Sequence, residues 1–303
     1  MKILLLGCQG QVGWELQRSL APLGEVIALI RHNTDGLCGD LNQPTALART
    51  IKTLTPNVIV NAAAYTAVDQ AESESDLAQA INAVGPSVLA RETQKLGALL
   101  VHYSTDYVFD GSGAKPWRED DRTVPLNVYG QTKRAGERAI QESDCRHLIF
   151  RTSWVYASRG KNFIRTMLRL AAERDALQVI DDQYGAPTGA ALIADVTAQA
   201  LPLALRKPEL EGLYHLAASG ETTWHGYACR VIEQARQAGW PVKIAEQDVW
   251  PIATDAFPVV AQRPNNSRLD CTRLEEAFGL YLPAWQRGVD HTLAEILDCG
   301  GIA

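Results

Sequence analysis

The chain has 303 residues, 46% of them apolar and 21% charged, with a net charge of −6. That length suits two domains or one large α/β domain, and the composition excludes disorder as the dominant state. The acidic balance gives no basic footprint for a nucleic acid or an anionic membrane.

Ile3–Leu6 reads as a strand, Gly7 to Gly13 as a glycine-punctuated turn, and Trp14–Leu23 as a helix. Strands follow at Val26–Ile30, Val58–Val60, Ala98–Tyr103 and His147–Arg151, with helices at Ala46–Leu54 and Val128–Ser143 between them. Asp69 to Leu96 reads as one long helical stretch, with a break expected at Gly85-Pro86 because proline lacks the N–H of the helix ladder. Strands alternating with helices imply parallel pairing and right-handed crossovers. The expected fold class is therefore α/β, a doubly wound parallel sheet of Rossmann type.

After Trp154 the rhythm loosens. Helices are expected at Phe163–Arg174, Ala190–Leu205, Thr222–Ala238 and Trp285–Leu297, with a short strand at Gly212–Leu216. Pro241, Pro251, Pro258 and Pro264 mark a loop region. This organisation predicts a dinucleotide-binding domain over residues 1–155, rejoined by segments around 186–220. A smaller, C-terminal substrate-binding domain is expected over 156–303. The run before Gly7 is too short for an export signal, and Leu192–Leu205 is interrupted by Asp195, Gln199 and Pro202, so neither export nor a membrane span is expected. Six scattered cysteines without a CxxC pair read as free thiols of a cytoplasmic protein, and the histidines show no zinc-ligand spacing.

Gly7, Gly10 and Gly13 stand between the first strand and first helix, where glycines let a backbone approach a pyrophosphate at the helix N-terminus. Gln11 and Val12 belong to the same turn. The GxxGxxG spacing is that of short-chain dehydrogenases. The second strand ends at Ile30-Arg31, with no acid there to hold a ribose 2′-hydroxyl. Arg31 suits a 2′-phosphate, so NADPH is the preferred cofactor expected and NADH a second one; the alternative is a solvated strand-end charge. Asp40-Leu41 and Ala62-Ala63-Ala64 supply further positions for a flat cofactor or, equally, packing turns.

Tyr103-Ser104-Thr105-Asp106 is followed by Tyr129-Gly130-Gln131-Thr132-Lys133. Tyr129 and Lys133 are four apart and share a helix face. A free phenol titrates near pH 10, and a neighbouring ammonium would stabilise the phenolate and make Tyr129 a usable acid. Thr105, at the C-terminal end of a strand, stands where ligands bind in such sheets.

YSTDYVFDG (Tyr103–Gly111), PLNVYGQTKRAGE (Pro125–Glu137), RTSWVY (Arg151–Tyr156), DDQYGAPT (Asp181–Thr188) and RPNNSRL (Arg263–Leu269) together resemble the dTDP-4-dehydrorhamnose reductases of the extended short-chain dehydrogenase/reductase superfamily. The resemblance runs over nearly the whole chain. It implies reduction of dTDP-4-dehydro-β-L-rhamnose to dTDP-β-L-rhamnose. It makes Tyr129 the proton donor, Lys133 the holder of the nicotinamide ribose and Thr105 the partner of the substrate oxygen. Tyr103 would join the cofactor site, and Asp106, Trp154 and Arg263 the substrate site. Trp154 could instead be a core residue, and Arg263 a structural one. Some members of the family join as dimers through a metal held by acids. One such acid would fall near Ala191, and Glu15 with Glu295 make a poor site, so no metal is expected and monomer and homodimer stay open. Rival readings are a sugar-nucleotide epimerase or dehydratase on the same fold, and a non-catalytic reductase-like regulatory subunit. A dehydratase usually places Glu after the Thr-Asp pair, where this chain has Tyr107.

Overall fold

A computed structural model describes residues 1–31 and 36–298. Six parallel strands form the central sheet: β1 (Lys2–Leu6), β2 (Glu25–Leu29), β3 (Val58–Asn61), β4 (Leu99–Thr105), β5 (Arg146–Thr152) and β6 (Gly212–His215). Their spatial order is β6-β5-β4-β3-β1-β2. The chain therefore starts in the interior, winds outward through β2, and returns to the other side of β1 through β3. That reversal of direction opens a crevice at the carboxyl ends of the strands, above β1 and β3.

Alternation along the strands decides which helices cover which face. Ile3 and Leu5 of β1, with Val58, Val60, Leu99, Val101, Leu148 and Phe150, pack with Leu16 and Leu20 of α1 (Gln11–Leu20). Leu4, Leu6, Ile59, Leu100 and Ile149 face the other way, onto Leu47 and Ile51 of α2 (Pro44–Leu54), Val88 and Leu89 of α3 (Gly85–Leu96), and Ile140 of α4 (Val128–Gln141). All of these strand residues are fully buried.

The second core gathers Ile164, Met167 and Leu168 of α5 (Phe163–Glu173), while Ile193, Ala194, Val196 and Leu201 of α6 (Ala190–Arg206) return to the first core beside α1. Arg18 and Ser19 of α1 fasten that return, both reaching the Asp195 carboxylate, at 2.9 and 2.6 Å. Tyr227, Val231 and Ile232 of α7 (Trp224–Gln237) join the second core, and after the short α8 (Thr272–Phe278) so do Trp285, Val289 and Leu293 of α9 (Trp285–Asp298).

Several element boundaries differ from those read in the sequence. The first helix starts at Gln11, at the glycine turn itself, and Pro22 turns its end into a 3₁₀ turn over Ala21–Leu23. The expected break at Gly85-Pro86 does not occur. The helix Ser75–Gln79 runs into α3 through a π-helical turn, Ala80–Val84, and this changed ladder carries the chain past the proline nitrogen that cannot donate. The interruption lies earlier, between Val68–Ala71 and Ser75. Thr222–Thr223 is not helical but pairs antiparallel with Tyr184–Gly185. The proline-marked region contains a strand, Val249–Ile252, parallel to Leu177–Ile180, with Pro251 tolerated on this two-stranded edge.

Candidate active site

At the start of α1, Gly7 has φ +77°, and a Cβ there would lie 2.6 Å from the Ala63 nitrogen. A Cβ at Gly13 would lie 2.1 Å from the Gly7 carbonyl oxygen. These two glycines press the turn against the end of β3 and the helix against the turn. Gly10 N–H donates to the Gly7 carbonyl at 3.0 Å, and no side chain caps the N-terminus of α1. An uncapped ten-residue helix behind a glycine cradle fits the diphosphate of a dinucleotide. Gln11 holds Asn162 through its side-chain oxygen at 3.0 Å, and Val12 packs on the first core. Ala62, Ala63 and Ala64 follow β3 half-buried along the crevice. Asp40 accepts from the Asn42 backbone at 2.9 Å, whereas Leu41 is a core residue beneath α3. Arg31 is exposed just past β2, and residues 32–35 beyond it lie outside the described residues.

β4 delivers Thr105 to the carboxyl end of the sheet, in register with Thr152 of β5. α4 brings Tyr129 to it, and two glycines on α4 permit the approach. A Cβ at Gly130 would lie 2.2 Å from the Tyr107 carbonyl oxygen, and one at Gly136 would lie 2.2 Å from that of Asn82. Asn127 caps the helix through its side-chain oxygen, which accepts from Gly130 N–H at 2.8 Å.

Burial pushes the Tyr129 phenol up to about 12, and Thr105 beside it acts in the opposite direction with the smaller effect. The expected lowering by Lys133 is not what governs Tyr129 here. The Lys133 ammonium, 2% exposed, donates instead to the Tyr103 backbone carbonyl at 2.6 Å and lies 3.3 Å from His102 Nε2. Burial lowers its pKa to about 8, against the raising charge of Glu137. Glu137 in turn holds Arg151 with two bonds, 2.9 and 2.8 Å, in a buried pair under α4. The Tyr103 phenol is turned into the core, where its hydroxyl meets Thr197 Oγ1 at 2.8 Å, so only its carbonyl reaches the site.

The Thr105 hydroxyl donates to Asp106 Oδ1 at 3.0 Å, and Tyr107 N–H donates to Thr105 Oγ1. Asp106 is 2% exposed, its Oδ2 has no partner in hydrogen-bond geometry, and burial raises its carboxyl to about 6 against the opposing influence of the nearby Ser267 and Thr105 hydroxyls. An orphaned buried oxygen beside a threonine hydroxyl is an invitation to a ligand hydroxyl. Tyr107 stands edge-on to Tyr129, ring centroids 5.6 Å apart. The Arg263 guanidinium acts on the Tyr107 phenol too, opposing the rise that burial causes. The substrate contact expected of Arg263 is taken here by a carboxylate, since its guanidinium donates to both Asp69 oxygens at 3.2 and 2.8 Å. Trp154, with the positive φ of +47°, stacks on Trp224 with centroids 3.7 Å apart and planes within 14°. Trp224 is fixed by donating Nε1–H to Gln183 Oε1 at 3.1 Å.

Sequence reading placed Asn61 and Tyr107 inside the motifs without giving either a role, and missed His102, Asp69 and Trp224. Only the pairing of distant segments brings them to the site, although Asn127 before a helical run was a readable cap. Among the described residues no group of three or more His, Cys, Asp or Glu is placed to hold a metal, and no helix is long and apolar enough to cross a membrane. Five cysteines are free thiols; Cys299 lies outside the described residues.

A doubly wound parallel sheet, a glycine cradle at its first helix and a Thr–Tyr–Lys cluster at its carboxyl edge define a nicotinamide-dependent oxidoreductase of the short-chain dehydrogenase/reductase type. The RmlD substrate binding domain model matches residues 1–297. The chain is 56% identical over 302 residues to the dTDP-4-dehydrorhamnose reductase of Escherichia coli K12, covering all of both chains. It is 56% identical over 296 residues to that of Salmonella typhimurium, covering 98% of each. Among solved structures, a Bacillus anthracis dTDP-4-dehydrorhamnose reductase in complex with NADP aligns with TM-score 0.85 at 33% identity, covering 97% of this chain and 99% of that one. The chain belongs to the dTDP-4-dehydrorhamnose reductase family.

Proposed function

We propose that Tyr129, Thr105 and Lys133 carry the reaction of this family in this chain: reduction of the C4 keto group of dTDP-4-dehydro-β-L-rhamnose to dTDP-β-L-rhamnose. The enzyme is an NADP-dependent reductase catalysing the last step of dTDP-rhamnose synthesis. The observation that carries the residue assignment is the placing of Thr105 at the carboxyl end of β4, where it acts on the buried Tyr129 phenol, with Lys133 one turn further along the same helix.

A reduced nicotinamide held here would supply the hydride for C4. Tyr129 gives the phenolic proton to the carbonyl oxygen. A phenol pushed up to about 12 is fully protonated at neutral pH, the state a reductase's acid needs, and the forming alkoxide is a stronger base than phenolate. Thr105 orients the same oxygen, with its own hydroxyl directed by Asp106. Lys133 binds the ribose hydroxyls next to the nicotinamide. The Gly7–Gly13 turn, with Gln11 and Val12, takes the diphosphate; Asp40, the backbone at Leu41 and Ala62–Ala64 line the adenosine and ribose path, and Tyr103 contributes its carbonyl.

Trp154 borders the sugar and Arg263 exchanges Asp69 for the nucleotide diphosphate. Arg31 favours the 2′-phosphate, so NADPH is preferred and NADH accepted. The enzyme is expected to be cytoplasmic, a monomer or homodimer, and to use no metal. Incubation with dTDP-4-dehydrorhamnose and NADPH tests the reading: absorbance at the reduced-nicotinamide band falls in proportion to dTDP-rhamnose formed. An epimerase would leave that absorbance unchanged, and a regulatory subunit would turn over nothing.

A further inference from the structure

Behind Lys133 lies a buried chain of polar groups that the reaction as described leaves unused. Asn61 ends β3, His102 stands beside it on β4 in direct register, and Lys133 Nζ lies beyond. His102 is 1% exposed and Asn61 likewise. The proton positions follow from donor and acceptor chemistry. Ala63 N–H can only donate, and it donates to Asn61 at 3.2 Å, so that atom is the amide oxygen. The other end of the amide, the NH₂, is therefore the group 3.0 Å from His102 Nδ1. Nδ1 must accept, which places the ring's one proton on Nε2. A doubly protonated ring is excluded by the same donor, and burial together with Lys133 holds His102 well below the usual histidine range.

His102 Nε2–H thus points at Lys133 Nζ from 3.3 Å, while Nζ donates to the Tyr103 carbonyl at 2.6 Å. An ammonium there faces a second donor. A neutral amine accepts from Nε2–H with its lone pair and keeps a hydrogen on the carbonyl. The charged and titratable groups around Nζ do not reverse this balance. From α4, Glu137 is committed to Arg151 of β5, and the Tyr129 phenol is neutral. From β4, the Tyr103 phenol is directed to Thr197, and the Asp106 charge acts on Tyr129.

We propose that His102, fixed by Asn61 as the Nε2–H tautomer, is a positioning residue that favours the amine form of Lys133 and so makes this lysine a proton donor exchangeable near neutral pH. This rests on the assignment of Lys133 made above. When Tyr129 has given its proton to the substrate oxygen, the phenolate needs one proton back. Lys133 as ammonium gives one up, becomes an amine that accepts from His102 Nε2–H, and is recharged from water. No electrons move in this step, and one proton is lost and regained at each site.

Two substitutions reverse the proton pattern. Asn61→Asp puts an acceptor on Nδ1 and draws the ring's proton there, so that the Nε2 lone pair faces Lys133. His102→Gln allows an amide oxygen to face the ammonium without adding charge. The test is the ¹⁵N spectrum of His102 in the wild-type protein, combined with pH profiles of kcat/KM for the wild type and both variants. Expected are the Nε2–H tautomer in the wild type, and a basic limb moved upward by about one pH unit or more in each variant, the size of one hydrogen bond gained by the charged form. An Nδ1–H tautomer or an imidazolium in the wild type overturns the proposal even if neither variant folds. So does an unmoved basic limb in folded variants. Failure of the Lys133 assignment has a different signature: the Nε2–H tautomer stands, but Lys133→Ala leaves cofactor affinity and rate intact.

Discussion

In the sheet half, apolar residues alternate along β1, β3 and β4, and each face meets its helices through aliphatic contacts. In the second core the aromatic rings of Phe163, Trp224, Tyr227 and Trp285 lean on one another from three separate helices, and Trp154 is stacked against them from the loop after β5. The first arrangement holds the groups proposed to transfer protons, at strand and helix ends where backbone geometry sets them. The second holds a flat surface whose orientation depends on rings far apart in the chain. Chemistry and recognition are thus built by different means, and substitutions should separate them.

The largest effect belongs to the sheet half. Tyr129→Phe removes only the proton donor, and kcat should fall by roughly 10²–10⁴-fold while NADPH affinity, read by fluorescence titration, stays within a few-fold. A variant keeping a third of wild-type kcat would remove Tyr129 from its role.

Next comes the pair that seats α4. Glu137→Gln leaves the Arg151 guanidinium buried without its carboxylate, and the cost should be about 3–5 kcal/mol in denaturant unfolding. A loss under 1 kcal/mol would mean that water reaches Arg151 beneath the helix.

The aromatic half answers more gently. Trp224→Ala removes the ring that fixes Trp154, and KM for the sugar nucleotide should rise roughly two- to tenfold, the worth of one aromatic pair, with kcat much less changed. Equal losses in kcat would bring the second core into the chemistry and erase the distinction. Arg31→Ala should reduce the NADPH-over-NADH ratio of kcat/KM by about tenfold, because an exposed charge-assisted contact is discounted by solvent. An unchanged ratio would assign the 2′-phosphate to other residues.

The pH profile reads both ends of the site. Asp106 is raised to about 6 by burial, so its carboxylate is lost as pH falls through that value. Lys133 is lowered to about 8, so its ammonium is lost as pH rises through that value. kcat/KM should be highest between them, and Asp106→Asn should remove the acid limb alone.

Legibility followed the same division. The glycine turn, the strand alternation and the Tyr129–Lys133 spacing are local patterns, and each was readable because a few consecutive residues carry it. The π turn before Pro86 was not, since proline ordinarily ends a helix and only packing against α4 at Gly136 shows why this one continues. Nor could the sequence reveal that Lys133 turns toward Tyr103 and His102 rather than governing Tyr129, or that Asp69 meets Arg263 across 194 positions. Such contacts depend on which segments the sheet order brings together.

The central claim is that the sheet half directs one hydride to C4 of the sugar, with the proton supplied by Tyr129. Reaction of the wild-type enzyme with dTDP-4-dehydrorhamnose and NADPH dideuterated at nicotinamide C4 tests it most directly, with the product read by NMR and mass spectrometry. The account predicts dTDP-rhamnose carrying one deuterium at sugar C4, one per cofactor oxidised; product without deuterium, or deuterium at another carbon, would contradict it.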